Sequence, residues 1–302
     1  MIQSKGIIQK INSPKRVNLT KSRCPMNSNS LFCLDPDYLN DLATKYRESY
    51  SQDQPFPHIV IDDFLPEYIL ENVLKEFPKP GSTGWQKLDL PGERKLSATS
   101  DLQLGEATRI LLYQLNSSTF ISFLEKLTSI EGLIPDPHFA GGGLHQIEPG
   151  GYLKMHVDFN RHPKMRLDRR LNLLLYLNKD WSENYGGHLQ LWDKDMTQCE
   201  KKVLPIFNRC VIFNTTDFSY HGHPEPLTCP EGQTRKSLAL YYYSNGRPAA
   251  EISGQDHSTL YKARPGEQFT VDKSSGMKVK NLVKKFIPPI LIDARNYLSK
   301  KS

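Results

Sequence analysis

Apolar residues change rhythm partway along this chain. From Asp37 the pattern is helical. After a turn-like Gln52-Asp-Gln-Pro-Phe-Pro57, the run His58-Ile-Val-Ile-Asp-Asp-Phe64 reads as a short β-branched strand ending before Pro66. Between Pro66 and Phe77, residues Ile69, Leu70, Val73, Leu74 and Phe77 recur at helical spacing, with Pro66 suited to a first turn. Residues 105–131 predict two more helices, the second opening at Ser117-Ser118-Thr119 and burying Phe120, Phe123, Leu124 and Leu127. From Gly141 to about Ser244 the rhythm shortens to apolar or alternating runs divided by Gly, Pro, Asn and Asp. These predict strands at Leu144–Ile147, Tyr152–Val157, Leu171–Leu177, His188–Trp192, Val203–Phe207, Cys210–Phe213 and Leu238–Tyr243. Their number and spacing suit a sandwich or jelly roll.

The fold class expected is therefore α+β with a mainly β core. Residues 1–35, rich in Lys, Asn and Ser, are expected to form a loosely ordered leader, and 36–140 a helical support with a first strand. Residues 141–247 form the jelly-roll core and 248–302 a C-terminal extension with a basic, partly helical tail. In that tail Lys278, Lys280, Lys284 and Lys285 stand beside Leu282, Val283, Phe286 and Ile287. A helix packing on the domain is preferred there over contact with an anionic membrane surface.

Composition adjusts this picture only slightly. With 302 residues, 38% hydrophobic and 24% charged, the chain is of the globular kind rather than the disordered kind. The net charge of +6 is small, and its excess sits at the two ends, which argues against nucleic acid as a partner. Five cysteines form no CxxC pair, so neither a disulfide framework nor a zinc knuckle is indicated. No run resembles a signal peptide or a membrane span, and a cytosolic protein is expected.

In the strand Gly151-Tyr-Leu-Lys-Met-His-Val-Asp-Phe159, His156 and Asp158 lie two apart and project from one face. An imidazole, a carboxylate and a second imidazole make the facial triad that leaves iron positions open for substrates. An HxD alone is a weak signal, since a locally bonded histidine before a strand-ending aspartate looks the same. Sixty-five residues later, Phe213-Asn-Thr-Thr-Asp-Phe-Ser-Tyr-His221-Gly-His223-Pro supplies the missing imidazole. Spacing allows either His221 or His223; His221 is preferred because it follows the strand directly, whereas His223 precedes Pro224 and reads as a loop or supporting histidine.

Downstream, Gln233-Thr-Arg235-Lys-Ser237-Leu-Ala-Leu-Tyr-Tyr-Tyr243 puts a guanidinium and a hydroxyl on one face of an otherwise apolar strand. A buried arginine needs an anion, and the distal carboxylate of a dicarboxylic acid fits its planar fork. Asn172 and Tyr176 interrupt the apolar run Leu171–Leu177 with the same parity, so they share a face and look into a polar pocket.

Taken together, these residues carry a resemblance. From Pro55 to about Ser244 the chain resembles the prolyl 4-hydroxylase-like branch of the 2-oxoglutarate- and iron(II)-dependent oxygenases. The carriers are PFPHIVIDDFLP, YLKMHVDF, RRLNLLLYLNKDW with GGHLQLW, YHGHPEP and TRKSLALYYY, in the family's order. The resemblance implies a double-stranded β-helix in which His156, Asp158 and His221 ligate Fe(II). It implies that Arg235 and Ser237 hold the C5 carboxylate of 2-oxoglutarate, that Tyr176 assists there, and that Asn172 lies near the C1 end. It further implies consumption of O2 and 2-oxoglutarate, release of succinate and CO2, hydroxylation of an organic substrate, and ascorbate as an accessory. One departure is the gap of fourteen from His221 to Arg235, holding Pro224, Pro226, Cys229 and Pro230, which suggests an inserted loop.

The substrate expected from the resemblance is a peptidyl residue, prolyl in type, or a small molecule or sugar. The segment Ala249 to Gly266 is expected to fold over the mouth of the site. A non-catalytic jelly roll that binds a sugar or senses 2-oxoglutarate is the alternative, disfavoured because the three ligands and the arginine are all present. A zinc hydrolase lacks a glutamate placed beside His156 and Asp158 to act as base.

Overall fold

The computed structural model describes residues 32–100, 103–251 and 254–268. Most of the expected leader, and the basic tail beyond residue 268, lie outside the described residues.

Helix α1 (Pro36–Gln52) starts where Asp35 accepts hydrogen bonds from the Asp37 and Tyr38 amides, and it buries Leu39, Leu42, Ala43 and Tyr50. Strand β1 (His58–Ile61) and helix α2 (Glu67–Glu76) follow. A hairpin comes next, β2 (Gln86–Leu90) and β3 (Glu93–Ala98), then α3 (Glu106–Leu115) and α4 (Ser118–Thr128). Helix α3 has only Gly105 at its N-cap; the carboxylate of Glu76, at the end of α2, accepts instead from the Ala107 and Thr108 amides and the Thr108 hydroxyl. Ser117 caps α4 by accepting from the Phe120 amide.

The remaining strands are β4 (Ile134–Pro135), β5 (Gly143–Ile147), β6 (Tyr152–Val157), β7 (Asp168–Tyr176) and β8 (Leu189–Trp192). After them come β9 (Cys199–Val203), β10 (Cys210–Asn214), β11 (His221–His223), β12 (Arg235–Ser244) and β13 (Leu260–Tyr261). Their hydrogen-bonded order is β1-β10-β7-β12-β5-β3-β6-β11-β8-β9, with β13 on β6, β2 on β3 and β4 on β12. Strand β3 changes partner along its length. Leu96, Ser97 and Ala98 pair with Gln146, His145 and Leu144 of β5, while Glu93 and Arg94 pair with Leu153 and Tyr152 of β6. One strand thus turns the larger sheet into the smaller and folds the two halves of the jelly roll face to face.

Alternation decides what each face meets. On β7, Leu171, Leu173 and Leu175 face outward with Leu238, Leu240 and Tyr242 of β12 and Ile212 of β10. That face packs on Leu39, Leu112, Leu115, Phe120, Phe123 and Leu124 of the helices. The opposite parity turns inward, where Tyr176, Val211 and Phe213 meet Leu189, Leu191 and Val203 of the smaller sheet. Asn172, Arg235 and Ser237 share that inward parity.

Two elements differ from expectation. The strand expected at Val203–Phe207 ends at Val203, before Pro205, and begins earlier at Cys199, where the polar Glu200-Lys201-Lys202 forms a sheet edge. The stretch 36–140 supplies the β2–β3 hairpin and the short β4 in addition to helices and one strand; β3 is held as a strand by pairing with β5 and β6. The loop between His223 and Arg235 folds back on the core: Leu227 exchanges backbone hydrogen bonds with Gly150 and Gly151, and Leu227 and Cys229 pack on Ile147 and Trp181. Among the described residues no helix is long and apolar enough to cross a membrane.

Candidate active site

Strands β6 and β11 run antiparallel with His221 opposite His156, their rings 4.4 Å apart. Gly222 makes this approach possible. A Cβ there would stand 2.8 Å from the backbone oxygens of both Leu153 and Lys154, so any side chain would push the two strands apart. Asp158, just past the end of β6, turns its carboxylate between the two rings. The His156 Nε2 lies 3.6 Å from its Oδ1 and the His221 Nε2 3.3 Å from its Oδ2, with one ligand atom from each residue inside a 4.8 Å sphere of mutual distance.

The hydrogen bonds behind the rings fix what faces forward. The Nδ1 of His156 stands 2.8 Å from the Lys154 carbonyl oxygen, and the Nδ1 of His221 2.9 Å from that of Ser219. A carbonyl only accepts, so each Nδ1 carries the hydrogen and each neutral ring presents an Nε2 lone pair. Burial and the neighbouring His221 push the His156 imidazolium down, favouring that neutral form. Burial would raise Asp158, but above all the Arg169 guanidinium beside it holds its carboxyl well below the usual range. Two lone pairs and a carboxylate therefore converge on one point, an arrangement that repels itself unless a cation sits there. Two imidazoles and one carboxylate on one side of that point match the donor set of a non-haem iron site with open positions.

Arg169, which the sequence reading passed over, lies behind this triad. It is 1% exposed; its Nη2 donates to Asp158 Oδ2 at 3.0 Å and, with Nε, to the Asn172 side-chain oxygen. Its guanidinium lies 3.4 Å from the Tyr241 ring centroid and 4.4 Å from that of Phe159. The Asn172 amide donates to the same Asp158 oxygen at 2.7 Å. The amide group of Asn172, which the resemblance puts near the C1 end of the oxo acid, is engaged by Asp158 and Arg169, its strand passing behind the triad carboxylate. The signal for Arg169 was an arginine opening an apolar run, adjacent to the equally polar Arg170.

Across the pocket, Arg235 is 5% exposed, donates from Nε to the Gly187 carbonyl at 2.8 Å and from Nη2 to the Tyr176 hydroxyl at 3.2 Å. Among the described residues no carboxylate pairs with it. Burial pushes its guanidinium downward, and Tyr176 offsets this only in part. Ser237 lies next inward along β12, in register with Tyr176 on one side and His145 on the other. Burial, then Lys95, pushes His145 down to about 3, which keeps it neutral. His223 occupies β11 rather than a loop; it is 2% exposed, and burial, then Arg235 and Lys95, hold its pKa well down.

The segment expected to cover the mouth lies along β6. Leu260 and Tyr261 pair with Val157 and His156, and the Tyr261 ring stands 5.7 Å from that of His156. His257 is tied to Asp217 at 2.8 Å and its amide to the Asn160 side chain.

Residues 142–243 match the family model described as the 2OG-Fe(II) oxygenase superfamily. A mouse protein named prolyl 3-hydroxylase OGFOD1 is 31% identical over 109 residues, covering 31% of this chain and 20% of that one. The chain thus spans about a fifth of the length of that relative. Among solved structures, a Trichoplax adhaerens prolyl hydroxylase in complex with a hypoxia-inducible-factor peptide superposes with a TM-score of 0.51 at 19% identity, covering 69% of this chain and 91% of that one. A prolyl 4-hydroxylase from Phytophthora capsici gives 0.50 at 20% identity, covering 87% and 78%. At these identities the structural likeness is one of fold, a double-stranded β-helix.

Proposed function

We propose that this chain, whose residues 142–243 match the 2OG-Fe(II) oxygenase superfamily model, is a 2-oxoglutarate-dependent hydroxylase. One observation carries the reading: three converging acceptors that need a cation face a buried guanidinium that needs an anion. A metal ion and a dicarboxylate answer both needs at once, and neither a sugar nor a structural core does.

On this reading His156, Asp158 and His221 hold Fe(II) and leave adjoining positions open. Arg235 takes the distal carboxylate of 2-oxoglutarate, with Tyr176 aligning the guanidinium and Ser237 offering a hydroxyl beside it. Bound Fe(II) supplies the chemistry in which 2-oxoglutarate and O2 yield succinate and CO2, the second oxygen atom entering a C–H bond of the substrate. The protein positions and shields. Arg169 and Asn172 fix the carboxylate of Asp158, Phe213 packs edge-on against His221 at 4.8 Å, and Tyr261 covers His156 from the solvent side. Since Asp158 is retained, the third protein ligand is in place and hydroxylation is favoured over halogenation.

A prolyl residue of a polypeptide is the substrate to test first, because the mouse relative is named for that chemistry; sugars and small metabolites form the second panel. Ascorbate is included as accessory reductant. Cys33, Cys199, Cys210 and Cys229 are all free thiols, which suits a reducing, cytosolic setting.

The test is succinate formation from 2-oxoglutarate by Fe(II)-loaded protein on admission of oxygen, with His156→Ala as control, first alone and then with prolyl peptides. Succinate that depends on His156 supports the reading. Metal-dependent 2-oxoglutarate binding with no succinate under any substrate would instead indicate a sensor.

A further inference from the structure

His223 is unexplained by the roles assigned so far. Its side chain is almost fully buried, yet neither ring nitrogen has a hydrogen-bond partner. An unsatisfied buried donor or acceptor costs about 1–3 kcal/mol, so a valine or leucine would serve better if packing were the purpose. The position is also not one where the ring could turn away. His223 follows His221 by two residues on the same short strand, backbone-paired near Leu153, and Gly222 holds that strand tight against β6.

The strands on either side of the ring identify what it faces. On the β8 side Gly222 pairs with Gln190, three residues past Gly187, whose carbonyl accepts from the Arg235 guanidinium; on the β6 side His221 of the same strand pairs with His156 of the triad. His223 is thus set between the anion anchor and the metal-binding point. An imidazole there offers an N–H to whatever anion enters.

We propose that His223 is a specificity-determining residue that donates a hydrogen bond to the distal carboxylate of the oxo acid, beside Arg235. The assignment rests on the oxygenase reading above. Arg235 supplies charge and a fixed fork, whereas the imidazole supplies a directional contact from the opposite sheet. A carboxylate is then gripped from both halves of the jelly roll, which selects a five-carbon diacid over an oxo acid lacking the second carboxylate.

The proposal is tested by binding rather than turnover. The Mn(II)-loaded protein is titrated by calorimetry with 2-oxoglutarate and, separately, with 2-oxobutyrate, which keeps the oxo-acid end and lacks the distal carboxylate. His223→Val should weaken 2-oxoglutarate about tenfold, equivalent to about 1.4 kcal/mol, and leave 2-oxobutyrate unchanged. His223→Gln, which retains a donor, should bind 2-oxoglutarate more tightly than His223→Val. Unchanged 2-oxoglutarate affinity in His223→Val overturns the assignment, and so does an equal loss for both acids, which would place the effect at the metal. In either case tight wild-type binding leaves the oxygenase reading standing. Failure of wild-type protein to bind 2-oxoglutarate in the presence of Mn(II) overturns both.

Discussion

The guanidinium of Arg169 and the carboxylate of Asp158 meet at 3.0 Å in the interior, on the side of the carboxylate turned away from His156. Arg169 neutralises a buried charge and holds Asp158 in one orientation, while Phe159 and Tyr241 hold Arg169 itself. A metal ligand positioned by a partner that itself packs on two rings has little freedom left.

Replacing Arg169 by Leu should therefore lower affinity for Mn(II) about 10–100-fold, the range usual for outer-sphere partners, without removing any ligand atom. Metal titration followed by calorimetry measures it. Affinity equal to wild type would show that Asn172 alone suffices to orient Asp158.

Gly222→Ala should also impair metal binding, through the backbone. The added methyl meets two carbonyl oxygens rather than flexible side chains, so β11 must move and His221 with it. The expected signature is weaker Mn(II) binding together with a lower melting temperature, whereas His221→Ala should lose the metal with less loss of stability.

Arg235 predicts opposite effects on stability and binding. A buried guanidinium with no carboxylate partner costs free energy in the ligand-free protein, and an apolar residue of similar volume relieves that cost. Arg235→Met should raise the melting temperature of the ligand-free protein. It should also weaken 2-oxoglutarate about 10–100-fold, the loss expected for a charge-assisted, forked contact of about 1.5–3 kcal/mol. Thermal shift with and without 2-oxoglutarate reads both.

Buried neutral histidines predict an acid-side instability. The folded pKa of His145 lies at about 3 against an ordinary value of 6.5, so as pH falls the unfolded chain takes up its proton first. The stability His145 contributes is fully present above pH 6.5 and is lost as pH falls below that value toward 3. Each such histidine gives a slope of up to about 1.4 kcal/mol per pH unit. The metal-free protein should lose melting temperature from pH 7 to 5, and His145→Gln should show a shallower slope. Parallel curves for the two proteins would exclude His145 as a source.

The parts legible in the sequence were those whose signal is local. Helix α4 announces itself through a serine cap and four apolar residues at helical spacing, and β6 and β12 through apolar runs between glycine and proline. His156 and Asp158 were readable because a two-residue period puts them on one face whatever surrounds the strand. What escaped depends on distant partners. The β2–β3 hairpin carries charges on both faces, so no period marks it, and only pairing with β5 and β6 makes it a strand. Arg169 looks like an ordinary flanking arginine until Phe159, Tyr241 and Asp158 are brought around it. Glu76 caps a helix some thirty residues downstream, which no local motif encodes. The histidine at 223 was read as a loop residue because of the proline after it, although β11 ends only at that point.

Strand β3 carries neither a metal ligand nor the anion anchor, yet it stitches β5, the neighbour of Arg235's strand, to β6, the strand of His156. The place along it where one partner gives way to the other acts as a ruler between the two binding points. Sliding that junction by two residues would preserve every side chain's facing while changing the span on offer. Acceptance of shorter or longer diacids can thus be tuned in the hydrogen-bond ladder of a strand that supplies neither binding group.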